Sequence, residues 1–71
     1  MNRINPSKLL LSKWTAVAPK QRERHFLVTK LLLAEDNSII ACELEAVINH
    51  KIYAINWRDL KDSSCWLMGW Q

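Results

Sequence analysis

The chain has little glycine, little cysteine and no long apolar run, and each shortage excludes a class of protein. Gly69 is the single glycine among 71 residues, which excludes a glycine-rich phosphate-binding loop. No apolar run approaches the ~18 residues that a membrane-spanning helix needs. Two cysteines are fewer than a small secreted domain usually carries. We therefore expect one small cytoplasmic domain, residues 1–71, and no membrane association.

The residue types that carry chemistry are also sparse and poorly spaced. The possible soft metal ligands are Cys42, Cys65, His25 and His50. None of them is paired at the spacing of about two to four residues that is typical of zinc sites, so we expect no metal and no other cofactor. No nucleophile motif surrounds Ser63, Ser64 or Cys65, and so short a chain has little room for a deep pocket. We expect a protein that is not an enzyme.

The net charge of +3 conceals an asymmetry between the two parts of the chain. Residues 1–30 hold seven Lys or Arg against one acid, a net charge of +6. Residues 31–71 hold three basic residues against six acids, a net charge of −3. This imbalance indicates an anionic partner for the first part. The alternative is a solvated surface whose two parts neutralise each other after folding.

Short apolar segments separated by turn-forming residues predict five strands. We expect them at residues 12–17, 25–33, 39–48, 51–57 and 65–70. Pro19 should end the first strand because proline cannot donate to a β-ladder, and residues 20–24 should form an exposed loop. Residues 35–38 have turn chemistry, and Asn49-His50 should be a two-residue hairpin turn with Asn49 in the left-handed region.

The third segment has the clearest alternation. Its two parities differ in polarity, as in a half-buried strand. One parity holds Ile40, Cys42, Leu44, Ala46 and Ile48, and the other holds Ala41, Glu43, Glu45 and Asn49, with Val47 as an exception. A helix over residues 41–49 is the alternative, since Glu, Leu and Ala favour helices.

Together these segments predict an all-β fold: a small five-stranded antiparallel sheet closed into a barrel, with a short N-terminal helix or turn. Closure removes exposed strand edges. Asn5 before Pro6 is a suitable cap for the N-terminal turn. Four strands followed by a short turn and a terminal strand are similar to an SH3-like barrel, which carries no function by itself. The predicted core residues are Trp14, Phe26, Leu32, Ile40, Leu44, Ile52, Ile55, Trp66 and Met68.

The C-terminal end is rich in aromatic residues. Trp66, Met68 and Trp70 carry too much apolar area for a solvated tail, so they close the core, line a ligand surface, or both. Gly69 among them suggests a bend or a bulge.

Basic and aromatic residues together favour nucleic acid, in particular RNA, as the partner of a non-catalytic binding module. Small barrels bind single strands with a basic groove and aromatic stacking platforms. The candidate contact residues are Lys13, Lys20, Arg22, Arg24, Trp57 and Trp70. The structural alternative is that the tryptophans are core residues. The functional alternative is a protein- or peptide-binding module that uses an aromatic groove or a sheet edge.

Several segments resemble a family of small bacterial tryptophan-rich conserved hypothetical proteins. They are Lys8-Leu9-Leu10, Ser12-Lys13-Trp14-Thr15-Ala16-Val17, His25-Phe26-Leu27-Val28-Thr29 and the end from Trp57 to Trp70. The resemblance covers nearly the whole chain and implies a stand-alone domain. It implies no activity and no catalytic residues.

Overall fold

Five antiparallel strands form one sheet. The computed structural model describes residues 2–71, so residue 1 of the predicted domain lies outside it. The strands are β1 (Lys13–Lys20), β2 (Glu23–Leu33), β3 (Ile39–Ala46), β4 (Ile52–Ile55) and β5 (Trp66–Met68). Two short 3-10 turns, Pro6–Lys8 and Trp57–Lys61, complete the described secondary structure. The predicted all-β fold, its five antiparallel strands and its short N-terminal turn are confirmed.

The strand order is β4-β3-β2-β1-β5. The first four strands follow one another as a meander, and β5 returns to pair with β1, where Trp66 lies opposite Ala16. The edges of the sheet are therefore β4 and β5. These two strands are not hydrogen-bonded to each other, so the sheet is not closed, and the barrel stays a prediction.

The first hairpin differs from its prediction in two ways. β1 continues through Pro19 to Lys20, because the register between β1 and β2 shifts between Thr15 and Lys20 and the proline lies within that irregular part. The predicted loop at residues 20–24 is a two-residue turn, Gln21-Arg22, with φ of 54° and 64°. Positive φ at both positions gives the turn geometry that matches strand twist.

The third segment is a strand and not a helix. Its inward positions Cys42, Leu44 and Ala46 are buried, as alternation predicted. The turn that follows occupies residues 47–49, so the strand is two residues shorter than predicted, Ile48 is exposed, and the predicted two-residue turn was wrong. The His50 amide donates to the Ala46 carbonyl at 2.7 Å. The left-handed residue is His50, with φ of 61°, so the prediction for Asn49 was wrong.

The core lies on the concave side of the curved sheet and beneath the 3-10 turns. Its buried apolar residues are Leu9, Trp14, Phe26, Val28, Cys42, Leu44, Ala46 and Leu60. Of the predicted core, Trp14, Phe26 and Leu44 are confirmed, and Leu32, Ile55 and Trp66 are half-buried. Ile40, Ile52 and Met68 are exposed, so these predictions were wrong. Ile40 lies at a register break, and the other two lie on edge strands with no neighbour on one side.

The end of the chain crosses to the convex side of the sheet. Gly69, with φ of 77°, redirects the backbone after β5. The buried Thr15 hydroxyl donates to the Gly69 carbonyl at 2.7 Å and accepts from the Gln71 amide at 2.9 Å. Trp70 therefore lies beside Lys13, which shares the convex face with Thr15, and not in line with Trp66.

No helical segment within residues 2–71 has the length and hydrophobicity to cross a bilayer.

Candidate functional site

An apolar cleft lies between the two edge strands, on the concave side of the sheet. Its volume is about 280 Å³. β4 contributes Tyr53 and Ile55, and β5 contributes Trp66 from the other side. Phe26 and Leu44, from the central strands, also line the cleft. Residues from both edges line one cleft because the sheet curls, although the edges do not pair.

Three aromatic rings, those of Phe26, Tyr53 and Trp66, line the cleft. Phe26 meets Trp66 edge to face, with ring centroids 5.2 Å apart and an interplanar angle of 81°. Phe26 also meets Tyr53 at 6.3 Å and 67°. These are the favourable arrangements for aromatic pairs, and they hold the rings on both sides of Phe26 in fixed orientations. Tyr53 is 38% exposed, so part of this aromatic surface is open to a ligand.

A carboxylate closes one end of the cleft. Glu23 begins β2 directly after the first turn and is only 6% exposed. Its carboxylate accepts from the Tyr53 hydroxyl, at 2.7 and 2.8 Å, and from the Asn49 side-chain amide at 2.7 Å. The hydrogen bonds from Asn49 and Tyr53 lower the pKa of Glu23 below its ordinary value. The bond to Glu23 in turn raises the pKa of Tyr53.

The partners of this carboxylate are neutral. Within residues 2–71, no Lys, Arg or His nitrogen lies within 4.0 Å of the Glu23 carboxylate. The side chain of Lys20, opposite Glu23 in the β1–β2 ladder, also lines the cleft but stays beyond that distance. Buried charges are normally paired with an opposite charge. The cleft therefore combines aromatic faces with an ionised carboxylate that has no cation within 4.0 Å among residues 2–71, although the charge of Lys51 acts on it and contributes to its lowered pKa.

The two edges of the sheet differ in how their outward backbone groups are covered. Because hydrogen-bonded pairs alternate along the β1–β5 ladder, the backbone N–H and C=O groups of Trp66 and Met68 point away from β1. The Asn2 side-chain amide donates to the Trp66 carbonyl at 2.7 Å, and the Gln71 side-chain amide donates to the Met68 carbonyl at 2.8 Å. Side chains of the same molecule thus occupy both outward carbonyls of β5.

The edge of β4 is open. The Ala46 amide donates to the Lys51 carbonyl. Because hydrogen-bonded pairs alternate along the ladder, the backbone N–H and C=O groups of Ile52 and Ala54 point away from β3. Within the described chain, 2–71, no side chain hydrogen-bonds to the backbone of either residue. The strand carries no charge and no proline, and Ile52 is 55% exposed. An apolar, uncharged edge of this kind is suited to pairing with another strand.

The residues predicted to bind nucleic acid fall into three separate groups. Lys20, Arg22 and Arg24 lie at the first hairpin. Lys13 and Trp70 meet on the convex face, with the Lys13 ammonium 4.8 Å from the centre of the Trp70 ring.

Trp57 lies toward the opposite end of the sheet from the hairpin. Its indole N–H donates to the carbonyl of Ile39, where β3 begins. The cations Arg58 and Lys61 lie 5.9 and 5.0 Å from its ring centre. The structure therefore brings Lys13 and Trp70 together and does not join all six residues into one surface.

The residues that sequence reasoning missed are Glu23 and Asn49. One signal for Glu23 was available, because it is the single acid among the first thirty residues and stands inside the basic segment. No pattern in the sequence pairs Asn49 with it, since the two are joined only when the β1–β2 and β3–β4 turns come together.

A metal centre has no candidate in the described residues. Cys42 is buried, and Cys65 is exposed beside Asp62. Within residues 2–71, no three His, Cys, Asp or Glu side chains come together as a metal site requires.

Comparison with known proteins identifies a family. A family model described as "Tryptophan-rich protein (DUF2389)" matches residues 12–71, which include all five strands and the whole cleft. No curated protein and no solved structure matches the chain.

Proposed function

The chain belongs to this tryptophan-rich family of unknown function, and we propose that it is a non-catalytic module that binds an extended segment of another protein. The segment adds to β4 as a further strand, and alternate side chains enter the cleft. Backbone pairing supplies affinity in this mode, and pockets beside the edge supply specificity.

The observation that carries the proposal is the difference between the edges. β5 has its outward carbonyls bonded to Asn2 and Gln71, whereas no side chain among the described residues bonds to the outward groups of Ile52 and Ala54 on β4. The cleft lies directly beside the open edge, because Tyr53 and Ile55 of the same strand line it.

A capped peptide of alternating valine and threonine tests the proposal. Its binding should shift the indole N–H signal of Trp66 in an NMR titration. Methylation of the peptide's backbone nitrogens that face β4 should abolish the shift, because methylated nitrogens cannot donate to the ladder. Methylation of the intervening nitrogens should leave binding unchanged and is the matched control.

Ala54→Pro is the corresponding change in the protein. Proline removes the outward N–H of β4 and leaves the β3–β4 ladder intact, so it should prevent binding. Met68→Pro on the covered edge should not. Equal binding by the two methylated peptides would refute strand addition. A dimer of the free chain, in sedimentation, that Ala54→Pro converts to a monomer would refute a segment of another protein as the occupant, since a second copy would then occupy the edge.

The fold and location that we propose are an SH3-like open barrel in the cytoplasm. The 3-10 turn Trp57–Lys61 between β4 and β5, the return of β5 to β1 and the shared cleft support the barrel. Free Cys42 and Cys65 support a reducing compartment.

Nucleic-acid binding, RNA in particular, is the second candidate. It is favoured by Trp70, which is 44% exposed and has a lysine over its ring. Binding of an oligouridine should fall steeply with salt and be lost when Lys20, Arg22 and Arg24 are all replaced by Glu. Unchanged binding in this triple variant would exclude the hairpin as the contact.

A further inference from the structure

The lining of the cleft includes a carboxylate, that of Glu23, as well as apolar side chains. We propose that it recognises an alkylammonium group, such as the side chain of a lysine in the bound segment, between its aromatic rings and Glu23. This proposal rests on the proposed function for the source of the group. The recognition chemistry itself depends only on the cleft.

The Glu23 carboxylate supplies a negative charge at one end of the cleft. Glu23 is almost fully buried, and its two hydrogen-bond partners, Asn49 and Tyr53, are neutral. An ionised, buried carboxylate is stabilised by a cation that reaches it, and charged hydrogen bonds are stronger than neutral ones. A ligand cation can approach the carboxylate from the cleft, where Glu23 is one of the lining residues.

Three aromatic rings supply a surface over which a cation can bind. Phe26, Tyr53 and Trp66 line the same cleft and are held by edge-to-face contacts. Cations bind over such rings, most strongly over tryptophan, and several rings together form the usual receptor for an ammonium group. An apolar wall also suits the methylene chain of a lysine, which can lie along it while its charged end reaches the carboxylate.

The size of the cleft sets the scale of the ligand. At about 280 Å³ it lies at the lower limit of small-molecule pockets, which begin at roughly 300 Å³. One side chain therefore fits better than a whole cofactor. Two cations of the chain compete with a ligand: Lys20, which lines the same cleft, and Lys51, whose charge acts on Glu23. The test must separate their ammonium groups from that of a ligand.

Two capped peptides that differ only in the presence of an ammonium group test the proposal. Both alternate valine and threonine, and the central residue is lysine in one and norleucine in the other. Norleucine keeps the alkyl chain and lacks the ammonium group. We expect the lysine peptide to bind about tenfold or more tightly than the norleucine peptide, from the shift of the Trp66 indole signal.

Glu23→Gln should reduce this preference to less than about twofold, because it removes the charge that the ammonium group meets. The amide oxygen of glutamine still accepts from Tyr53 and Asn49, so the fold is retained. Glu43→Gln, on the convex face, is the matched control and should keep the full preference. Lys20→Met should tighten binding of the lysine peptide, since it removes a like charge from the cleft.

The outcomes separate the two proposals. Equal affinity for both peptides would overturn the ammonium site and leave strand addition standing. Loss of preference in Glu43→Gln as well as Glu23→Gln would also overturn it, because the effect would then be one of overall charge. If neither peptide binds, the proposed function fails, and butylammonium chloride alone decides the site. It should shift the ring signals of Tyr53 and Trp66 in the parent but not in Glu23→Gln, and no shift in the parent would refute recognition.

Discussion

Replacing Thr15 by valine should release the end of the chain from the convex face of the sheet. The side chain is 1% exposed, and its hydroxyl makes two hydrogen bonds, one to the Gly69 carbonyl and one from the Gln71 amide. Valine has nearly the same shape, so packing is retained and both bonds are lost.

The cost follows from those two bonds. A neutral hydrogen bond contributes about 0.5–1.5 kcal/mol net, and water can replace part of each because Gln71 is exposed. We therefore expect the free energy of unfolding to fall by about 1–2 kcal/mol. In a domain of this size, each kcal/mol corresponds to a decrease of about 4–8 °C in the melting temperature.

Urea unfolding measures the stability, and iodide quenching measures the release of Trp70. Without the two hydrogen bonds of Thr15, Trp70 should move away from Lys13 and from the Phe26 carbonyl, to which its indole N–H donates. Iodide should then quench the fluorescence of Trp70 more strongly, and comparison with a Trp70→Phe chain would isolate that signal. Thr29→Val is the matched control, because the Thr29 hydroxyl makes no side-chain hydrogen bond within residues 2–71. If the Thr15→Val protein is as stable as the parent and its quenching is unchanged, the two Thr15 hydrogen bonds do not hold the end of the chain in place.

Three further predictions concern the core and the charge of the cleft. Leu60→Ala should lower the free energy of unfolding by about 2–5 kcal/mol in urea, because the side chain is fully buried, whereas Leu67→Ala on the surface should cost less than about 1 kcal/mol; equal costs would contradict the described core. Iodoacetamide should modify Cys65 and leave Cys42 intact in the native protein, since burial raises the pKa of the Cys42 thiol to about 11; mass spectrometry of digested peptides would show any reaction at Cys42. Because the folded-state pKa of Glu23 lies below its ordinary value of 4.5, the folded chain binds fewer protons there than the unfolded chain. The stability that the ionised Glu23 contributes is fully present above its ordinary pKa and is lost as pH falls through its lowered pKa. The free energy of unfolding of Glu23→Gln, measured in urea, should therefore depend less on pH below 4.5 than that of the parent. An identical pH dependence would contradict the hydrogen bonds from Asn49 and Tyr53 to Glu23.

Local patterns predicted the strands well where one face is buried and the ladder is regular. In β3 the alternation located Cys42 and Leu44 in the core, because a strand with one buried face must repeat every two residues. The same rule failed at Ile40, where the register breaks between Leu32 and Leu33 of the neighbouring strand. A register break depends on the partner strand, so the segment's own sequence does not reveal it.

The edges of the sheet explain most of the remaining errors. Ile52 and Met68 look like core residues because they are large and apolar, but each lies on a strand that has a neighbour on one side only. Strand order determines which segments become edges, and it results from contacts distant in sequence. The prediction that Pro19 ends β1 was wrong for a similar reason, since a strand tolerates proline there only because the register around it is irregular.

The candidate site was predictable in composition and not in arrangement. Tryptophans and basic residues are visible in the sequence, whereas the cleft requires the curl of the sheet to bring Tyr53 near Trp66 through Phe26. The bonds of Glu23 to Asn49 and Tyr53 span 26 and 30 residues. Nothing local to any of the three residues specifies these bonds.

The unequal strand edges also limit how copies of this protein can assemble. Head-to-tail pairing of β4 in one molecule with β5 in the next would leave both outer edges ready to repeat the contact, and such contacts grow into filaments. The amides of Asn2 and Gln71 occupy the carbonyls that this pairing would need on β5. Each molecule can therefore pair through β4 and not through β5, so growth stops after a single addition and the expected complex has one partner per chain.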